Sequence, residues 1–80
     1  MADKTETKRT MSREEFADYL RMLADGFDGE GEVTVSVDNK SVTLHPPGEI
    51  TAEVEVVERS SILRGDKESI ELDASWKSTE

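Results

Sequence analysis

Carboxylates dominate the side chains of this chain that can do chemistry. There are 19 Asp and Glu against 10 Lys and Arg, one His and no Cys in 80 residues, a formal net charge of −9. Four of the carboxylates, Glu53, Glu55, Glu71 and Asp73, alternate with apolar residues in two separate segments. If those segments pair as strands, the four share one wet sheet face. Oxygen ligands in that number suit a hard cation such as calcium or magnesium. A flat face with strands about 4.8 Å apart suits hydrated ions better than a closed cage. We therefore expect no dedicated metal site, with Glu53, Glu55, Glu71 and Asp73 the nearest approach to one.

The other reactive groups read as bland. His45 is alone, with no Ser or Cys and orienting carboxylate to build a nucleophile–base pair, so it is expected at a strand end on the polar face, near Thr34 and Glu49. The acidic run from Asp25 to Glu32 fails as an EF-hand loop, because positions 3 and 12 counted from Asp25 are Phe27 and Ser36. The glycines form neither a dinucleotide fingerprint nor a phosphate loop. Paired carboxylates for glycoside chemistry need a cleft between them, for which a chain of this length has little volume. No catalytic residue and no cofactor is expected, and the chain is read as non-enzymatic.

Positioning these groups requires elements, and the clearest is Ile70-Glu71-Leu72-Asp73-Ala74-Ser75-Trp76. It alternates apolar and polar without a slip, the period of a half-buried strand. Three more strands are expected: Val33 to Val37, Ser41 to His45 and Ile50 to Val56. Before them, Ser12 with Glu15 three residues on reads as a capping box. Phe16, Leu20, Leu23 and Phe27 then fall at helical spacing, with Gly26 ending the helix near Asp25. Residues 1–10 are polar and read as a tail or an extra edge strand.

Turn chemistry sets the expected pairing. A two-residue loop at Asn39-Lys40, with Asn39 left-handed, places Val37 opposite Val42 and Val35 opposite Leu44. A tight turn at Pro46-Pro47-Gly48 places Leu44 opposite Ile50 and Val42 opposite Ala52. A longer connection, Ser60 to Lys67, sets Val56 by Ile70, Val54 by Leu72, Ala52 by Ala74 and Ile50 by Trp76. Every apolar residue then lies on one face. The fold class is α+β: one domain over residues 1–80, with an N-terminal amphipathic helix on one face of a four-stranded antiparallel meander. Trp76 falls in the core, and the shallow row ending at Ala52 and Ala74 is a seat for Phe16.

This order of segments resembles the amphi-Trp domain family, small proteins named for an amphipathic strand that ends in tryptophan. The resemblance runs from about Met11 to Trp76. It is carried by Met11-Ser12-Arg13-Glu14-Glu15, Leu23-Ala24-Asp25-Gly26, Val42-Thr43-Leu44, the acidic alternation of Ile50 to Val56, and Ile70-Glu71-Leu72 leading to Trp76. It implies no assigned activity and no site. Many members of the family are from salt-loving archaea.

Charge bounds the partners. An acidic surface repels the phosphates of nucleic acids and anionic lipid. Acidic residues spread over nearly every segment, with only five lysines, point to a halophile, whose solvent screens charges beyond about 3 Å at 1 M salt. Glu53 beside Asp73 and Glu55 beside Glu71 would repel in ordinary buffer, which agrees. No stretch approaches the roughly 18 apolar residues that cross a bilayer, and the N-terminus lacks a signal-peptide core, so a cytoplasmic location is expected. The function expected is an interaction or accessory module that binds through a free sheet edge as a homodimer or by accepting a partner's strand. The alternative is a small-ligand or divalent-cation protein using the acidic face.

Overall fold

A computed structural model describes residues 4–79. The order is α1 (Arg13–Asp28), β1 (Val33–Val37), β2 (Lys40–Leu44), β3 (Thr51–Arg59) and β4 (Lys67–Ser75). The class is the expected α+β, but the single meander is not formed. The strands make two separate antiparallel pairs, β1 with β2 and β3 with β4. Residues 4–12 are irregular, so the extra edge strand is not formed among them.

Helix α1 starts where its cap dictates. Ser12 is extended, and its hydroxyl accepts the amide N–H of Glu15 at 3.0 Å, while Glu14 and Glu15 place negative charge at the positive end of the helix dipole. Its end is not at Gly26. The helix continues to Asp28 and is capped by Gly29, and Gly26 has a different role. A Cβ on Gly26 would lie 3.0 Å from Cγ1 of Val33, so glycine lets the last turns of α1 approach β1 closely. Val33 is the one buried apolar residue among those described, 3% exposed. Tyr19 adds a second tie, its hydroxyl donating to the carbonyl of Ser36 at 3.2 Å.

The β1–β2 hairpin closes one residue earlier than the sequence suggests, which moves every pairing by two. Val37 pairs with Lys40, Val35 with Val42 and Val33 with Leu44. Its loop is Asp38-Asn39, and Asp38 rather than Asn39 takes the left-handed conformation, φ 57°. A shift of two residues keeps each side chain on its own face, so the apolar pattern could not separate the two registers. Thr34 and Thr43 meet across the strands through their hydroxyls at 3.1 Å.

The β2–β3 turn fails for a physical reason. A residue before proline is held extended, and both His45 and Pro46 are in that position. Two consecutive extended residues oppose the reversal that a tight turn needs. Residues 45–50 therefore run on irregularly to β3, and the Leu44–Ile50 and Val42–Ala52 pairings do not occur. The place beside His45 is taken instead by the C-terminal segment, where the amide of Thr79 donates to the carbonyl of His45 at 3.0 Å.

The β3–β4 hairpin has the expected register: Val56 with Ile70, Val54 with Leu72, Ala52 with Ala74. Its connection is closed by Ser61, whose carbonyl accepts the amide of Gly65 and whose hydroxyl accepts that of Arg64, both at 3.1 Å. The helix does not cover its apolar face. Val54, Val56, Ile70 and Leu72 are 66, 64, 73 and 63% exposed, whereas Val35, Val37, Val42 and Leu44 of the first hairpin are half-buried. Phe16 borders a groove with Val56 and Ile70, and is not seated on the alanines. The result is extended: the radius of gyration is 15.5 Å, against about 11.6 Å for a compact chain of this length.

Candidate interaction surface

Two faces of the β3–β4 hairpin hold the groups that sequence reasoning singled out. On the wet face, Glu53 stands opposite Asp73 and Glu55 opposite Glu71, as the alternation predicts. They line a shallow surface depression and none is buried. Among the described residues no group of three or more His, Asp or Glu gathers closely enough to hold a metal ion. The geometry is that of a charged strip open to water.

The same register continues further than the sequence reading carried it. Glu58 stands opposite Glu68 and Arg59 opposite Lys67, so all four pairs in this hairpin with a charge on both strands set like against like. Like charges directly opposed across strands are destabilising in dilute buffer. Extending the Val56–Ile70 register outward by three residues would have found both pairs. Side-chain alternation puts Arg59 and Lys67 on the acidic face at its far end, and Glu58 and Glu68 on the apolar face.

Trp76 follows β4 directly and does not enter a closed core. It is half-buried, with its ring in an edge-to-face contact with Phe27, centroids 5.7 Å apart and planes at 78°. That geometry matches the aromatic quadrupole preference. Phe27 belongs to the last turn of α1, so this contact joins the helix to the base of the second hairpin. Toward the other end of α1, Phe16 is 50% exposed beside the open groove.

His45 is half-buried, and its Nε2 lies 3.7 Å from a carboxylate oxygen of Glu32, an ion pair when the ring is protonated. The acidic loop of residues 29–32 is exposed and carries Glu32 to this pair. No described helix is long and apolar enough to cross a membrane.

The model of one protein family, the amphi-Trp domain, matches residues 1–80. No curated protein and no solved structure matches the chain.

Proposed function

The chain belongs to the amphi-Trp domain family, and from that premise we propose that it is a non-enzymatic interaction module that binds through exposed strands. The observation that carries this reading is the division of the sheet into two pairs, which leaves each strand with an outer edge that no other strand covers. Such edges template pairing with another chain. Edge β1 has neither Lys nor Pro to block it. The partner is a second copy or a protein that donates a strand. Nucleic acid and anionic membranes are poor fits to a charge of −9, and we place the module in the cytoplasm. Amide exchange tests the edge. The outward-facing amides of β1 are expected to exchange fast in dilute protein and to gain protection as concentration rises or a partner is added. Slow exchange at every edge amide, independent of concentration, would contradict it.

The module is adapted to high salt on this reading. The four like-charge pairs of β3–β4 are the support, because screening beyond about 3 Å at 1 M salt removes most of their repulsion. Relief of roughly 0.2–1 kcal/mol per pair corresponds to a rise in melting temperature of several degrees for a domain of this size. Thermal melts between low and molar KCl check it, and a flat melting temperature would overturn it.

A second reading, cation binding on the acidic strip, draws on the Glu53–Asp73 and Glu55–Glu71 juxtaposition. It requires a local, saturable shift of the Glu71 and Asp73 resonances on titration with magnesium or calcium, and uniform small shifts would end it.

A further inference from the structure

The accessible area of this chain is large for its mass. A compact folded monomer of 8.9 kDa exposes about 4,800 Å² by the mass scaling of globular proteins. This chain exposes 7718 Å². Part of the surplus belongs to the irregular segments at either end. The rest includes the face of Val54, Val56, Ile70 and Leu72, all more than 60% exposed. A two-stranded hairpin with nothing on its apolar face is marginal in water. Something must cover it.

The chain's own helix is already used. A helix with its side chains is about 10 Å wide, enough for two strands at about 4.8 Å spacing. Those two strands are β1 and β2: Gly26 sits against Val33, Tyr19 holds Ser36, and the apolar residues of both strands are shielded. The last turn of α1 touches the second hairpin through Phe27 on Trp76, and in its first turn Phe16 only borders the open groove at Val56 and Ile70.

Resting on the reading of the chain as an association module, we propose that the apolar face of β3–β4 is completed by the same face of a second copy. The two hairpins stack face to face and antiparallel about a two-fold axis. The face is complementary to itself in this orientation only. From tip to base its rows are Glu58 with Glu68, Val56 with Ile70, Val54 with Leu72, and Ala52 with Ala74. Parallel stacking would bring four carboxylates together. Antiparallel stacking lays Glu58 and Glu68 over the partner's small Ala52 and Ala74, their stems on the alanines and their charges toward water. It also carries the fully exposed Ile62 and Leu63 at the tip toward the base of the partner hairpin, where Ile50 is exposed and Trp76 half-buried. The surplus over the scaling value, roughly 2,900 Å² per chain with the end segments included, is more than three times the about 800 Å² per partner that a stable dimer needs.

Cross-linking and mass together test this. The chain has no cysteine, so introduced thiols report alone. With Ala52→Cys and Glu58→Cys in one chain, a bismaleimide of about 10 Å reach, the spacing of stacked sheets, is expected to give a covalent dimer in molar KCl. Thr51→Cys with Val57→Cys, on the acidic face of the same strands, is expected to give none. Leu72→Lys, present in both copies, is expected to weaken dimerisation by at least about 100-fold in light scattering. Ser36→Pro, which blocks the edge of β1, is expected to leave the mass unchanged. Loss of the dimer in Ser36→Pro but not in Leu72→Lys would overturn face stacking and leave edge association standing. A wild-type monomer, or equal cross-linking on both faces, would also overturn it. Should Leu72→Lys unfold, the paired cysteine variants decide the matter alone.

Discussion

Trp76→Ala is expected to destabilise the domain by about 2–3 kcal/mol and to release the β3–β4 hairpin before the rest of the chain. Truncating a buried Trp costs about 3–5 kcal/mol, and the half-burial of Trp76 lowers that figure. The edge-to-face pair with Phe27 contributes about 0.5–1.5 kcal/mol beyond its area. The position of the contact sets the order of events. Phe27 lies in the last turn of a helix packed on β1, while Trp76 continues β4. Without the indole, the second hairpin keeps its ladder but loses its aromatic anchor to the helix. Denaturant unfolding checks the magnitude, and hydrogen exchange checks the sequence: amides of residues 51–59 and 67–75 should lose protection in Trp76→Ala while those of β1 and β2 keep it. A uniform loss across both hairpins would mean that Trp76 holds the whole fold rather than the joint.

The second large effect is expected where α1 meets β1. Val33→Ala removes two methyl groups from the most buried apolar residue described, at about 0.8 kcal/mol for each buried carbon plus a cavity term, for roughly 2 kcal/mol in all. Gly26→Leu attacks the same contact from the other side. Its Cβ alone would meet Val33 Cγ1 at 3.0 Å, and overpacking of this kind costs about 1–3 kcal/mol. Leucine's better helix propensity, a gain of about 0.8 kcal/mol over glycine, offsets only part of that. In the double variant the space vacated by Val33→Ala accepts the new side chain, so the two costs should fall short of their sum by about 1 kcal/mol. Additive costs in a double-mutant cycle would show that Gly26 is not there for the approach to Val33.

How legible this was from sequence depends on which physical rule governed each part. Alternation set the β3–β4 register from Val56 with Ile70 to Ala52 with Ala74, because consecutive alternating residues allow no one-residue slip, and the ladder ends at Thr51 with Ser75, one pair short of Ile50 with Trp76. The same rule is blind to a slip of two, which is why the expected β1–β2 pairing differs by two residues from the one formed. Gly26 looked like a terminator because glycine ends helices more often than it crosses them. Its close approach to Val33 involves a residue seven positions on, and nothing local signals it. The meander fails at Pro46-Pro47, where the extension that each proline imposes on its predecessor overrides the turn propensity of Pro46-Pro47-Gly48. The acidic strip was readable residue by residue. The open apolar face was not, since alternation says which side of a strand is apolar but not what lies against it.

If another chain finishes this fold, the molar mass in molar KCl shows it. Multi-angle light scattering should give twice the chain mass of 8.9 kDa at micromolar concentration, falling toward the single-chain value as salt is removed and the charge of −9 on each copy is unscreened. A mass of one chain at every concentration in molar salt would mean that no second copy covers the β3–β4 face.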